Sequence, residues 1–380
     1  MPLFKIHSQT PTAYSLSEDT DIVNFLTGKK DGYVSADKAL QNSDLYSIIW
    51  QLASDMAGTR YQASTNRMQS MIDQPDSTTN GYSFWLAEAA QLLLTGNAYA
   101  FRWRNINGVD LRWEYLRPSQ VQPQLLDDGS GLVYDITFDE PDIAPMYNVP
   151  QANVLHFRLL SKTGGKTGFS PLSALKDEFQ IKDASNRLTL NSLNKSVEAP
   201  GILTIQGGGL LNWKKKAARS KEFMNQVNNS NHGPVVLDDL ESYQPLQVKS
   251  DVAKLLSQAD WTGKQIAKVF GVPDSIINGQ GDQQSSIAMM GGQYAKALNR
   301  YVKAFVAELN TKLHVEVKAD IRPAIDATGD AFADTIGTLA KNNAIAMNQA
   351  TYVLQQTGYL PKNLPKAINE GGEVNEEDRN

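Results

Sequence analysis

The repeat of hydrophobic and polar positions changes several times along this chain. In "SDLYSIIWQLASDMAG", Leu45, Ile48, Ile49, Leu52, Ala53 and Met56 recur at the spacing of one helix face, with Ser43 or Asp44 as cap and Gly58 as stop. A second amphipathic helix runs from about Ser83 to Leu94. Upstream, residues 1–40 are polar and turn-rich and predict a loosely held arm. From Tyr99 to Phe157 the pattern becomes short alternating runs, "AYAFRWR", "LRWEYL", "VQPQLL", "LVYDITF" and "NVLHFRLL", broken by the turns "NING", "RPS", "DDGSG" and "EPD". Such alternation predicts an antiparallel sheet.

At Ser170-Pro171, a cap followed by proline at the first helical position, the helical period returns. No further Pro or Gly intervenes before Pro200, which predicts a helix about 40 Å long at 1.5 Å per residue. Next come a strand "GILTI", a turn "QGGG", a basic helix "NWKKKAARSKEFMNQVNN" and strands "PVVLDD" and "YQPLQV", a compact β-α-β-β insert. Asp251 opens another helix, stopped by Gly271 and Pro273. A polar loop "NGQGDQQSS" leads to a helix from about Ile287 to Leu313, with a kink expected at Gly291-Gly292. The remainder reads as a strand "HVEVKADI", two or three helices and an acidic tail "EGGEVNEEDRN". The fold class is α+β.

Composition narrows the function. With 380 residues, 41% hydrophobic and 20% charged, the chain is long and apolar enough for two or three packed units. It has no cysteine, which excludes disulfides, thiol nucleophiles and Cys-based zinc sites. "MPLFKIHSQTPTAY" lacks the apolar core of a signal peptide, and no uncharged apolar run approaches the roughly 20 residues of a membrane span. The expectation is a soluble, intracellular product with no membrane partner. The 36 basic and 41 acidic residues give a net charge of −5, which disfavours a tight grip on nucleic-acid phosphates yet permits a surface past which DNA slides.

Gly165-Lys166-Thr167 has the ending of a phosphate-binding loop, but the first glycine of G-x-x-x-x-G-K-[ST] falls on Leu160, and Gly168-Phe169-Ser170-Pro171 separate the Lys-Thr pair from the helix. Asp238, ending "PVVLDD", gives a faint magnesium-binding echo, and Lys166, Thr167 and Asp238 together define a nucleotide-hydrolysing alternative. His7, His156, His232 and His314 are scattered without metal-binding spacing, and His156 reads as a hydrogen-bonded sheet histidine. Asp238, Asp239 and Glu241 read as solvated turn residues. The residues thus offer no catalytic constellation, metal site or cofactor site. Lys214, Lys215, Lys216, Arg219 and Lys221 form the one notable basic cluster, spread around more than half a helix: a solvated face, or a docking surface for an acidic partner.

Taken in order, "TGNAYA" (95–100), "LRPSQVQP" (116–123), "VLHFR" and "GKTGFSPLSAL" (154–175), "APGIL" (199–203) and "IAKVFGVPDSIIN" (266–278) resemble the portal protein family of tailed double-stranded DNA phages, in the siphophage form. The resemblance covers about Leu45 to Leu313. It implies a non-enzymatic homo-oligomeric ring, usually of twelve subunits, around a DNA channel at one capsid vertex. The implied parts are an N-terminal arm (1–40), a wing (41–169), a first stem helix (170–198), a clip (199–250), a second stem helix (251–271), a channel loop with a long kinked wing helix (272–319), and a helical crown with a flexible acidic tail (320–380). By position, the channel loop would carry Asn278, Gln280, Asp282, Gln283, Gln284, Ser285 and Ser286, making weak, sequence-blind contacts with the duplex. The implied partners are double-stranded DNA, the large terminase subunit, a major capsid or scaffold protein, and a head-tail adaptor, with the basic clip helix as a candidate docking surface. The implied location is the virion's portal vertex, reached from the host cytoplasm. Another ring-forming virion adaptor is the second alternative, although adaptors are generally much shorter. The Gly-Lys-Thr is then a connector ending in the family's G-x-S-P turn.

Overall fold

A computed structural model describes residues 13–15, 39–126, 129, 131–139, 142–197, 201–206, 212–229, 237, 239–245, 252–273, 287–326, 328–361 and 363–364. The chain divides into two compact units, the first built from residues 1–174 and 267–380, the second from residues 175–266.

The first unit contains α1 (Ser43–Gly58), β2 (Arg60–Ala63), α2 (Asn66–Asp73) and α3 (Gly81–Thr95), preceded by a short strand β1 (Ala13–Ser15). α1 buries the six apolar residues that its period predicts, but its cap is Asn42, whose side chain accepts from the amides of Asp44 and Leu45. α3 is capped in the same way by Asn80. Strands β3 (Asn97–Arg104), β4 (Asp110–Leu116), β5 (Val121–Leu126), β6 (Leu132–Ile136), β7 (Met146–Pro150) and β8 (Val154–Arg158) follow in chain order, and, after two strands of the second unit, β11 (Val317–Asp320) lies near the end. The expected single sheet is two antiparallel sheets, ordered β4-β3-β8 and β1-β5-β6-β7, together with a β2–β11 ribbon. β1 belongs to the predicted arm and pairs with β5, and β7 was not legible in the alternation.

Alternation along β3 explains the layering. Tyr99 and Phe101 join Leu116, Val121, Tyr134, Ile136 and Val154 in a core shared by both sheets. Ala98 and Ala100, small and fully buried, occupy alternate positions that leave the other face for helices. There Trp85 of α3 is the hub of an aromatic cluster, with ring centroids 5.5 Å from Phe305, 5.6 Å from Tyr61 and 6.2 Å from both Trp113 and Phe157. Phe305 lies on α7 (Ile287–Leu313), which continues as an α-helix through Gly291-Gly292. Helices α8 (Arg322–Ile325), α9 (Asp330–Lys341) and α10 (Met347–Gln356) follow β11, and α9 and α10 share a small core of Ile336, Ala340 and Ala350.

The second unit holds α4 (Lys176–Val197), β9 (Gly201–Ile205), α5 (Trp213–Asn229), β10 (Glu241–Pro245) and most of α6 (Val252–Phe270). Pro171–Leu175 forms a 3-10 turn before α4, so the α-helix starts later than the proline suggests. β9 and β10 pair antiparallel, and Phe223 of α5 packs on Tyr243 of β10 at 4.9 Å. Pairing begins at Glu241, ahead of the expected "YQPLQV", and most of "PVVLDD" lies outside the described residues.

Candidate functional site

Two sequence motifs that lie about 70 residues apart meet in the first unit. α3 ends at Gly96, which takes the left-handed conformation (φ 77°) and donates to the Leu92 carbonyl. Asn97, the next residue, grips Gly168: its Oδ1 accepts from the Gly168 amide at 2.7 Å, and its Nδ2 donates to the Gly168 carbonyl at 2.9 Å. Leu159 donates its amide to the Gly96 carbonyl at 2.9 Å, and Ser170 Oγ donates to the Leu94 carbonyl at 2.7 Å. The approach leaves no room for side chains. A Cβ on Gly168 would lie 1.9 Å from the Gly96 oxygen, and one on Gly96 would lie 2.3 Å from the Phe169 oxygen. Both glycines are therefore required by contact, and together they anchor the chain just before the turn that opens α4.

The Gly-Lys-Thr stretch is built for that anchor. Thr167 is buried, and its Oγ1 lies 2.8 Å from Thr163 Oγ1, inside a turn where Ser161 Oγ accepts from the amides of Thr163 and Gly165. The Lys166 carbonyl accepts from Arg158 Nε at 3.1 Å. No helix starts at Thr167, so its amides do not converge on a phosphate. Asp238 lies outside the described residues.

His156 backs the anchor from β8. It is fully buried; its Nδ1 lies 3.0 Å from Tyr134 Oη, and its Nε2 lies 3.0 Å from Asn97 Oδ1. Arg158 Nε, which only donates, reaches Nδ1 at 3.1 Å, so the ring is neutral with its proton on Nε2, donated to Asn97. Burial first, then the charges of Arg158 and Lys312, hold this imidazole well below the usual histidine range. Glu308 of α7 accepts from the His156 amide at 3.0 Å and pairs with Arg158 at 3.4 Å. Beside it, Arg102 forms a two-pronged pair with Asp110 (3.0 and 2.8 Å) and donates to the carbonyls of Ala152 and Lys312. These groups staple sheet to helix; among the described residues, no cluster of His, Asp and Glu suits a metal ion.

In the second unit, Asn212 caps α5, and Lys214, Lys215 and Lys216 stand exposed in its first turn. Cations there oppose the helix dipole, so the helix gains nothing from them. Lys221 is exposed as well. Arg219 differs: it bonds Glu241 through two nitrogens at 2.7 and 2.6 Å and Glu222 at 3.0 Å. This corrects the reading of Glu241 as a solvated turn residue, since its side chain is 7% exposed, whereas Asp239 does sit in an exposed turn. Asn278, Gln280, Asp282, Gln283, Gln284, Ser285 and Ser286 lie outside the described residues.

The family model for phage portal proteins matches residues 43–344, from the first residue of α1 to just beyond α9. The chain belongs to the phage portal protein family. A probable portal protein of Streptomyces phage phiC31 is 25% identical over 202 residues, covering 49% of this chain and 42% of the phage protein. The portal chain described here thus matches less than half of that relative's length. Among solved structures, a chain in the neck of a native gene transfer agent (GTA) particle, computed with C12 symmetry, superposes with a TM-score of 0.62 at 16% identity, covering 90% of this chain and 95% of that one. The crystal structure of an HK97 family phage portal protein from Corynebacterium diphtheriae gives a TM-score of 0.56 at 14% identity, with coverages of 79% and 99%. These likenesses show that the fold is the portal fold. Within it, "TGNAYA" and "GFSP" carry the portal resemblance in sequence, and the structure brings them together. Reading the sequence missed the roles of Asn97, Arg158 and Glu308, although an Asn directly after a helix-stopping glycine was a usable signal.

Proposed function

We propose that this chain forms the ring-shaped DNA channel at one vertex of a phage-type capsid and serves genome packaging, retention and ejection without enzymatic activity of its own. The match to the portal family over residues 43–344 carries this reading. Twelve subunits are the expected count, in keeping with the C12 symmetry of the related neck. In this reading residues 41–169 are wing, 170–198 and 251–271 stem, 199–250 clip, 272–319 channel loop and wing helix, and 320–380 crown and tail.

Apolar surface in the second unit supports a ring. Leu188 and Leu190 on α4 are 55% and 60% exposed, and Trp261 on α6 is 44% exposed. Neighbouring copies would cover side chains that a lone chain leaves in water. The net charge of −5 fits a channel that passes DNA, because each neutralised phosphate adds counterion-release affinity and slows movement. Loop residues Asn278, Gln280, Asp282, Gln283, Gln284, Ser285 and Ser286 make the weak backbone contacts that hinder back-slip. Lys214, Lys215, Lys216 and Lys221 dock an acidic surface of the large terminase subunit, which supplies the energy of translocation, or later of a head-tail adaptor. A capsid or scaffold protein holds the wing, and assembly takes place in the host cytoplasm.

Negative-stain imaging of the purified chain tests the reading. Annular particles with a hole of roughly duplex width are expected, and Leu188→Glu with Leu190→Glu should convert them to smaller species. A monodisperse monomer at high concentration would refute it.

A further inference from the structure

A cleft of about 600 Å³ opens in the first unit where α2, β3, β4 and the end of α7 converge. Arg67, Arg102, Arg104, Lys312 and His314 line it, against Asp110 as the one lining carboxylate. The cations are not equally occupied. Asp110 offsets Arg102, and Glu308 lies 3.8 Å from Lys312. Arg67 donates to the Asp110 carbonyl at 3.3 Å, and Arg104 donates to Asn153 Oδ1; both acceptors are neutral. Among the described residues neither guanidinium pairs with a carboxylate, so two cationic forks face one concave site in a chain of net charge −5. A carboxylate is the matching ligand, because guanidinium presents parallel donors to its two oxygens.

The β2–β11 ribbon indicates which carboxylates reach it. Arg60 pairs with Asp320 at one end and Ala63 with Val317 at the other. Beyond the second end, Thr65 and Arg67, where β2 gives way to α2, and His314 and Val315, between α7 and β11, enter the cleft wall. Beside the first end, Arg60, Asp320 and Tyr359 line a common hollow. The chain therefore arrives, at Tyr359, one ribbon-length from the cleft. Five steps of extended chain, Val315 to Asp320, rise roughly 17 Å, and the six steps from Leu364 to Glu370 span up to about 20 Å. From there the chain carries Glu370, Glu373, Glu376, Glu377 and Asp378, with Arg379 the one cation among residues 370–380.

The geometry points to the arginine cleft as an internal docking site for the acidic segment 370–378 of the same chain, gripped by Arg67 and Arg104. Tethering raises the effective concentration of the segment to the order of mM, so individually weak charge pairs suffice to fill the site. The inference is independent of the channel reading.

The chain has no cysteine, so a single spin label introduced by Val374→Cys reports the segment in the full-length protein. An immobilised component is expected in the nitroxide spectrum at low salt. It should be lost at about 1 M salt, where the screening length is roughly 3 Å, and lost in Arg67→Gln/Arg104→Gln. Glu373→Gln/Glu376→Gln/Glu377→Gln changes only the acidic segment; it should remove the component equally and guards against a folding defect in the arginine variant. A label that is mobile in the otherwise unaltered chain, or immobilised regardless of these changes, overturns the inference. If the arginine variant instead leaves the label unmoved and loses binding of a short DNA duplex, the cleft is a nucleic-acid site and the segment assignment is wrong.

Discussion

Gly168→Ala tests whether the meeting of the two motifs is a structural anchor. The added Cβ would lie 1.9 Å from the Gly96 oxygen, 2.8 Å from the Gly96 carbonyl carbon and 3.1 Å from the Leu159 amide nitrogen. Non-bonded carbon and oxygen seldom approach below about 3.3 Å, so one backbone must retreat by more than an ångström, and every atom in conflict is main chain. The retreat breaks the Leu159–Gly96 bond (2.9 Å) and loosens Asn97's hold on the Gly168 amide (2.7 Å). Two hydrogen bonds at about 1 kcal/mol each, with overpacking strain of about 1–3 kcal/mol partly relieved by that retreat, give an expected loss of about 2–4 kcal/mol. For a unit of this size that lowers Tm by roughly 3–7 °C. Gly292→Ala is the matched control. Its Cβ meets nothing within 4 Å on an exposed stretch of α7, so it should be neutral or stabilise by up to about 1 kcal/mol. Scanning calorimetry of both variants decides the matter. A Gly168→Ala protein that melts with or above the unaltered chain would refute the anchor, whatever the control does.

Three further outcomes are expected. Arg102→Ala strands Asp110, whose side chain is 3% exposed, and should cost about 3–5 kcal/mol in urea unfolding, with Arg102→Ala/Asp110→Ala less damaging than the single change. Glu88 is fully buried, neither of its oxygens has a hydrogen-bond partner among the described residues, and burial raises its carboxyl well above the usual range. Because its folded pKa exceeds the unfolded value, its contribution is fully present below the unfolded pKa of about 4.3 and is lost as pH rises towards the folded pKa. Glu88→Gln should therefore raise Tm at pH 7.5 and change little near pH 4; an equal effect at both pH values would contradict this assignment. Deleting residues 280–285 should leave rings intact and lower the DNA retained in filled heads, whereas failed assembly would make that segment structural.

Much of the fold was legible locally. Leu45, Ile48, Leu52 and Met56 mark α1 because a helix returns to the same face every 3.6 residues, and Gly96 and Gly271 end helices because each adopts positive φ (77° and 68°) at little steric cost. Alternation located most strands for the same local reason, but not the division into two sheets, since which strand pairs with which depends on partners far along the chain. β7, with "MYNVP", has too weak an alternation to stand out.

The site divides along the same line. The sequence alone determined most of the element types, the incomplete phosphate loop, the basic cluster on α5 and the ordered motifs of the portal family, all of which rest on residues close together in the chain. It also led to a hydrogen-bonded role for His156. Only the tertiary structure decided that Asn97 holds Gly168, that Glu308 reaches His156 across 152 positions, that Arg219 is taken up by Glu241, and that Arg67 and Arg104 open on one cleft. Periodicity reports which face of an element is buried, because burial follows from the element's own geometry. It carries no information on which polar atoms meet across that face, because their meeting is set by packing between segments that are remote in sequence.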